Sequence, residues 1–290
     1  MITAALVKEL RDKTGAGMMD CKKALVETNG NVEEAITWLR EKGILKAQKK
    51  ADRIAAEGLC GAVISGNKAV IFEVNSETDF VARNEKFQNI VKEVGKCIIA
   101  SDAKNTEEAL AAPSNLGTVN DLIINATATI GEKVSLRRVT RLDKTDSQIF
   151  GHYSHGGGRI VVLSVLEGND EQVAKDVCMH VAAMNPKYLD RNSVNQDFLN
   201  GEKEVMTQET LNEGKPANIV ERIVAGKIEK LLKSICLVDQ EFVKNPDLTV
   251  GKYVESNNSK IINYVRLEVG EGIEKRVDDF AAEVMAAAGN

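Results

Sequence analysis

The sequence predicts an α+β protein with more than one domain. Two stretches, at residues 59–74 and 149–166, have a period of two around a short turn, and a segment of helical period follows each of them. Such alternation broken by a short turn predicts a β-hairpin, whose strands are antiparallel. The recurrence of hairpin and helix indicates two related α+β halves. The chain has 290 residues, which is long for a single core.

Residues 1–50 are expected to form a module of three helices. Helical periods at residues 4–13 and 18–28 precede a third helix, which Asn31 caps with Glu34 three positions later, the spacing of a capping box. Gly43 is the expected end of this third helix. The residues of the second helix that are expected to face inward are Met18, Cys21 and Leu25.

Residues 51–140 and 141–186 are expected to contain the two halves of the core. In the first half the predicted elements are strands at 59–64 and 69–74, helices through 90–97 and at 119–131, and a strand at 134–139. In the second half they are strands at 149–154 and 159–166 and a helix at 171–183. Residues 235–270 return to the second half with a further strand at 261–269.

An antiparallel helical hairpin is expected at residues 187–234, inserted into the second half. Its helices, at 195–213 and 217–234, are joined by Gly214-Lys215-Pro216, and the first helix has few apolar positions. A hairpin with so little apolar surface either projects into solvent or packs on a second copy of itself. Residues 271–290 are expected to form a C-terminal helical module.

The composition excludes several classes of partner. The net charge is −5, whereas a surface that binds DNA or RNA is normally basic. No apolar run approaches the roughly 20 residues of a membrane span, and residues 1–8 do not resemble a signal peptide. The five cysteines are scattered, without metal-ligand or redox spacing. We therefore expect a cytoplasmic protein that binds neither nucleic acid nor membrane.

The junction between the first hairpin and its helix combines a hydroxyl, a carboxylate and an aromatic ring, on Thr78, Asp79 and Phe80. Two interpretations are open. In the first, Thr78 caps the helix, Asp79 lies favourably in its first turn, and Phe80 is buried on a stripe that continues to Phe87. In the second, Phe80 projects from the junction as a binding anchor with Asp79 beside it.

The sequence does not predict an active site, a metal centre or a cofactor site. His152 and His155 are three residues apart and lack a third ligand. His180 lies in an apolar helix, where a histidine with satisfied hydrogen bonds is expected. The glycine run at 156–158 opens a strand, whereas a phosphate-binding P-loop opens a helix. We therefore expect a binding protein and not an enzyme.

Four motifs, at residues 6–25, 78–83, 180–183 and 268–275, occur in one order over nearly the whole chain. The first is long and specific, with Thr14-Gly15-Ala16-Gly17-Met18-Met19-Asp20-Cys21 at its centre. The second is Thr78-Asp79-Phe80-Val81-Ala82-Arg83. Together they resemble the motifs of the bacterial elongation factor Ts family.

The resemblance implies a guanine nucleotide exchange factor for the GTPase elongation factor Tu, without a cofactor of its own. In this family an Asp-Phe pair is pushed into the GTPase and disturbs its Mg²⁺ site. The positions that match this motif are Thr78, Asp79, Phe80 and Val81. The positions that match other partner contacts are Lys22, Ile130, Gly131 and His155.

The resemblance also refines the expected fold. It implies a ubiquitin-associated-like (UBA-like) N-terminal module, a two-part α+β core, a coiled-coil hairpin and a C-terminal module that grips the GTPase from Gly272 onward. The hairpin resembles the part that the family uses for dimerisation. A second copy of the chain, bound through this hairpin, is therefore a further expected partner.

Three other classes of function are open to the sequence. One is an adaptor whose three-helix module binds ubiquitin-like proteins. Another is an enzyme that uses His152 and His155 with a nearby carboxylate. The last is a structural protein assembled through the helical hairpin.

Overall fold

The computed structural model describes residues 2–274 of the chain, in which contacts between residues define two compact units. Within the described residues, the first unit takes in residues 2–61, Phe72–Thr140 and residues 268–274. The second takes in Ala62–Ile71 and Arg141–Leu267. Most of the C-terminal module expected at 271–290 lies outside the described residues. The domain boundaries drawn from the sequence stay predictions.

The N-terminal module consists of three helices, as the sequence predicts. They are α1 (Ala4–Thr14), α2 (Met18–Glu27) and α3 (Val32–Gln48). The side chain of Thr3 caps α1, and that of Asn31 caps α3 by accepting from the amides of Glu33 and Glu34. The buried residues that form the core of the module are Val7, Leu10, Ala16, Cys21, Ala24, Leu25 and Ala35.

The expected inward face of α2 is correct at two positions and wrong at one. Cys21 and Leu25 are fully buried, but the side chain of Met18 is 60% exposed, and the neighbouring Met19 is 76% exposed. The two methionines lie in the first turn of α2, directly after the loop from α1, and neither belongs to the buried core of the module.

The first half of the core contains a three-stranded sheet with helices after its second strand. Its elements are β1 (Glu57–Ser65), β2 (Lys68–Ser76), α4 (Asp79–Arg83), α5 (Glu85–Ala100), α6 (Thr106–Ala111), β3 (Pro113–Ser114), β4 (Gly117–Thr118), α7 (Val119–Ile130) and β5 (Ser135–Asp143). The strand order is β1-β2-β5, and α5 packs against α7. Because only two residues connect β1 to β2, these strands form the predicted antiparallel hairpin.

Helix α3 does not end at Gly43, as the sequence suggests, but continues to Gln48. Gly43 is buried where α3 packs against α7, and a Cβ atom added there would lie 3.5 Å from the Cβ of Ala128. The glycine therefore serves the close approach of two helices and does not terminate α3.

The second half repeats the arrangement of hairpin and helix. Its elements are β6 (Gln148–His155), β7 (Ile160–Glu167), α8 (Glu171–Met184), α9 (Gln196–Asn212), α10 (Ala217–Ile235), β8 (Glu241–Phe242), β9 (Asn245–Thr249), α11 (Val250–Ser256) and β10 (Lys260–Glu268). The strand order is β10-β7-β6. Strands β6 and β7 are antiparallel, with a register that runs from Gln148 opposite Glu167 to His155 opposite Ile160. Helix α8 packs on both strands, so the chain is an α+β protein with antiparallel sheets, as predicted.

Helices α9 and α10 pack against each other and form the predicted helical hairpin. Thr210 is the one buried residue of α9. The ammonium of Lys227 on α10 lies 3.9 Å from the carboxylate of Glu209 and 3.6 Å from that of Glu213. Exposed charged pairs of this kind contribute little stability. The UBA-like and coiled-coil details of the expected fold stay predictions.

A buried carboxylate on β2 ties the end of the described chain to the first sheet. Glu73 is fully buried and accepts hydrogen bonds from the guanidinium groups of Arg137 and Arg138 on β5. It also accepts from the backbone amide of Gly270, at 2.8 Å. A buried charge must be paired in this way because its desolvation is costly.

Candidate functional site

The junction that follows β2 begins with Thr78 and a very short helix. Thr78 is the N-cap of α4, and its hydroxyl oxygen lies 3.4 Å from the amide nitrogen of Val81. Helix α4 has five residues and ends before Asn84, which caps α5 by accepting from the amide of Lys86 at 2.9 Å. The junction therefore consists of two capped helices in series and not of one continuous helix.

Phe80 projects from this junction into solvent. Its side chain is 81% exposed, whereas Phe87 on α5 is fully buried. The interpretation in which Phe80 is buried is therefore wrong. Its prediction that Thr78 caps the helix is correct. Asp79, beside Phe80, forms an ion pair with Arg83 one turn later, at 2.9 Å.

The carboxylate of Glu132 holds the first residues of the junction. Its Oε2 atom accepts hydrogen bonds from the backbone amides of Glu77, at 3.1 Å, and Thr78, at 3.0 Å. Its Oε1 atom accepts from the hydroxyl of Thr78, at 2.7 Å. In the opposite direction, the carboxylate of Glu77 accepts from the backbone amide of Lys133, at 2.6 Å. We call these four hydrogen bonds the carboxylate clamp.

The segment that leaves α3 contacts the same turn between α7 and β5. The ammonium of Lys133 donates to the carbonyl oxygens of Ala51, at 2.6 Å, and Arg53, at 2.9 Å. Lys50 donates to the carbonyl of Gly131. Three chain segments, at residues 50–53, 77–78 and 131–133, are thus joined by hydrogen bonds around the base of the junction.

Two of the other expected contact residues lie next to this clamp, and two do not. Ile130 ends α7, and Gly131 follows with a φ of +93° as its left-handed cap, so both directly precede Glu132. Lys22 is exposed on α2 and lines a cavity with Met18 and Met19. Methionine side chains adapt easily to a partner surface.

His155 belongs to the second unit, where it is exposed at the end of β6. Its ring lies 6.2 Å from that of Tyr153, centroid to centroid, and its Nδ1 atom lies 3.4 Å from the tyrosine hydroxyl. The three glycines after it all have positive φ and form the tight turn to β7.

Within the described residues, the acidic, histidine and cysteine side chains form no metal cluster, and burial raises the pKa of all five thiols. No group of three or more histidine, cysteine, aspartate or glutamate side chains within residues 2–274 is arranged to hold a metal ion. All five cysteines are free thiols. Burial raises the pKa of the Cys60 and Cys178 thiols to about 12, and such thiols are poor nucleophiles. No helix in this part of the chain is long and apolar enough to cross a membrane.

Of the clamp residues, sequence reasoning singled out Thr78 but missed the contacts that Glu132, Glu77 and Lys133 make at its base. Glu132 lies 54 positions from Thr78 along the chain, and Glu77 and Lys133 belong to ordinary charged loop segments. The one local signal is that Glu132 follows the glycine cap of α7, which places it in a tight turn.

Comparison with known proteins identifies the family. Residues 77–271 match the family model described as Elongation factor TS. The chain is also 58% identical, over 290 residues and 98% of each chain, to elongation factor Ts of Acholeplasma laidlawii (strain PG-8A). The chain therefore belongs to the elongation factor Ts family of translation elongation factors.

Proposed function

We propose that this protein binds the GDP-bound form of elongation factor Tu in the cytoplasm and promotes the release of GDP and its exchange for GTP. The observation that carries the proposal is the 81% exposure of Phe80 on a capped and clamped junction. A large aromatic ring held in water on a rigid mount is typical of a binding anchor. The protein needs no catalytic chemistry and no cofactor for this role.

Exchange follows from preferential binding to the nucleotide-free GTPase. By thermodynamic linkage, the factor weakens the binding of nucleotide as much as the nucleotide weakens the binding of the factor. Mg²⁺ requires nearly ideal octahedral coordination, so a wedge that displaces its surroundings weakens the bound nucleotide. Burial of Phe80 in the partner would contribute about 1.5–3 kcal/mol, which corresponds to one or two powers of ten in an equilibrium constant.

Each residue of the site has a distinct role in this proposal. Thr78 starts α4, while Asp79 and Phe80 enter the partner near its Mg²⁺ site and Val81 completes the contact. The further contacts, which spread the interface along the chain, are Lys22, Ile130, Gly131 and His155. Several contacts are needed because a single aromatic ring does not supply enough binding free energy for full exchange.

A homodimer through α9 and α10 is a second proposal. Val205, Leu211 and Ile219 on this hairpin are 55%, 43% and 39% exposed, and a second copy could cover them. Analytical ultracentrifugation of the wild type and of Val205→Glu tests it. If the wild type sediments as a monomer at all concentrations, this proposal is wrong.

The release of a fluorescent GDP analogue from elongation factor Tu tests the main proposal. The protein is added at a concentration well below that of the GTPase, so that acceleration requires turnover. We expect release to become faster and to depend on the concentration of the factor. If the wild type leaves the rate unchanged, the proposed function is wrong. An adaptor for ubiquitin-like proteins would instead bind its partner through residues 1–50 alone.

A further inference from the structure

We infer that Glu132 is the positioning residue that sets the direction of Phe80 through the carboxylate clamp. The inference rests on the proposed function, because it concerns how the wedge reaches the GTPase. Glu132 is half-buried at the base of the junction, where its two carboxylate oxygens are engaged by Glu77 and Thr78. Its effect on the partner therefore passes through the junction.

Helix α4 cannot fix its own direction. It has five residues, and helices of this length are not stable by themselves, because nucleation is unfavourable. Its side-chain cap is also weak, since the hydroxyl of Thr78 lies 3.4 Å from the amide of Val81. Packing of α4 on α5 and the buried Ala82 hold the later residues of the helix. Its first residues, which carry Asp79 and Phe80, depend on the contacts made at Glu77 and Thr78.

The clamp supplies these contacts at the residues that start α4. Glu132 accepts from both the amide and the hydroxyl of Thr78, so it fixes the backbone and the χ1 rotamer of the capping residue together. Hydrogen bonds to a carboxylate are shorter and stronger than bonds between neutral groups. The reciprocal bond from the amide of Lys133 to Glu77 prevents the two segments from sliding past each other.

The clamp also joins the expected partner contacts at Ile130 and Gly131 to Phe80 in one rigid surface. Ile130 and Gly131 immediately precede Glu132, while Phe80 lies two residues after Thr78. A partner that engages Ile130 and Gly131 would therefore meet Phe80 in a fixed position. Loss of the clamp leaves each contact present but lets the distance between them vary.

The first test measures the kinetics of GDP release with Glu132→Ala and Glu132→Gln. Misplacement of a reacting or contacting group by about 1 Å can cost up to about a hundredfold in rate. We expect the alanine variant to lower the maximal rate about tenfold or more, while the half-saturating concentration changes by less than about threefold, because the other contacts remain. Glutamine keeps one acceptor oxygen and should give an intermediate rate. Glu107→Ala, which removes an exposed carboxylate on α6, is the matched control and should behave as the wild type.

A double variant separates positioning from general destabilisation. If Glu132 acts through Phe80, then Glu132→Ala should cost little additional rate in a Phe80→Ala background, because the energies of coupled residues are not additive. Full additivity of the two effects would overturn the inference.

Hydrogen exchange on the isolated protein tests the clamp without the partner. The amides of Glu77 and Thr78 should exchange at least about tenfold faster in Glu132→Ala, less so in Glu132→Gln, and unchanged in Glu107→Ala, while the amides of α5 and α7 keep their protection. Unchanged exchange at Glu77 and Thr78 would overturn the inference. So would a normal GDP-release rate despite lost protection. If the wild type does not accelerate GDP release from elongation factor Tu, the proposed function is wrong. The hydrogen-exchange rates of Glu77 and Thr78 would then still test the clamp.

Discussion

Phe80 and Phe87 are seven residues apart, yet one is 81% exposed and the other is fully buried. Residues seven positions apart lie on the same face of a continuous helix. The helix is not continuous here, because Asn84 adopts an extended backbone, with φ −73° and ψ 132°, and caps α5. Because of this break, α4 does not continue the buried face of α5, and Phe80 lies outside the core that contains Phe87.

The two phenylalanines form a matched pair of variants. Phe80→Ala should change the free energy of unfolding by less than about 0.5 kcal/mol, because its side chain is exposed. The same variant should slow GDP release by about ten- to a hundredfold, as expected for loss of a buried aromatic contact with the partner. Phe87→Ala should lower the free energy of unfolding by about 3–5 kcal/mol, because it leaves a cavity.

Urea unfolding and the release of a fluorescent GDP analogue measure these effects. If Phe80→Ala releases GDP as fast as the wild type, Phe80 is not the wedge. If it destabilises the protein as much as Phe87→Ala does, the exposed position of its ring is wrong.

The packing of α3 on α7 predicts opposite effects for a small and a large residue at Gly43. An added Cβ would meet Ala128 at 3.5 Å, an ordinary contact. Gly43→Ala should therefore stabilise the protein by up to about 1 kcal/mol, because alanine is the better helix former. Gly43→Leu should destabilise it by about 1–3 kcal/mol, because the side chain overpacks the interface.

Gly226 on α10 provides the control for Gly43. A Cβ added there meets no atom within 4 Å, so both Gly226→Ala and Gly226→Leu should be neutral or stabilising. Urea unfolding of the four variants gives the comparison. Equal effects of leucine at positions 43 and 226 would contradict the close approach of the two helices.

His180 predicts a loss of stability in mild acid. It is fully buried, its Nε2 atom lies 2.9 Å from Oε1 of Gln240, and its Nδ1 atom accepts from the amide of Val243. A proton on Nδ1 would face that amide and break the bond. Burial lowers the pKa of His180 below its ordinary value, while the hydrogen bond to Gln240 opposes this shift.

The sign of the effect follows from this lowered pKa. The unfolded histidine has a pKa of about 6.5, so below that pH the unfolded state binds more protons than the folded state. Neutral His180 therefore makes its full contribution to the free energy of unfolding above about pH 6.5. The free energy of unfolding falls as the pH drops towards the folded pKa, by up to about 1.4 kcal/mol per pH unit. Unfolding free energies at pH 7 and 5.5 should differ more for the wild type than for His180→Gln. An equal difference in both proteins would contradict the prediction.

Substitution of Glu73 should lower the free energy of unfolding more than substitution of most charged residues of the first sheet. Its carboxylate is fully buried, and Arg137 and Arg138 point at it from β5. Both arginines are about 30% exposed, so water can solvate them when the carboxylate is removed. We therefore expect Glu73→Ala to lower the free energy of unfolding by on the order of 2 kcal/mol. Urea unfolding with Glu107→Ala as the control measures this, and equal stabilities of the two variants would contradict it.

The sequence allowed the local elements to be predicted well. Both hairpins, the cap at Asn31 and the helical hairpin rest on short-range patterns, and the structure contains them. The prediction at Gly43 was wrong because a glycine after a helical stretch usually ends it, whereas here the contact with Ala128 requires a small residue.

The candidate site was less predictable than the fold. The motif at Thr78, Asp79 and Phe80 is visible in the sequence, but the stripe to Phe87 also suggested burial. The pattern does not reveal that Asn84 ends α4 and caps α5, which breaks this stripe. The contacts of Glu132 with Thr78 and of Glu73 with Gly270 join distant parts of the chain. Such contacts depend on tertiary packing, which local patterns do not encode.

The carboxylate clamp limits how well a short peptide could mimic the junction that carries Phe80. A synthetic peptide of residues 74–87 would carry Thr78, Asp79, Phe80 and Val81, but it would lack Glu132 and the turn that holds it. In solution its five-residue helix would be unfolded. Binding would then have to order it, and the lost conformational entropy would weaken the affinity of the peptide. A useful mimic would therefore need a covalent staple across the first turn to replace the missing carboxylate.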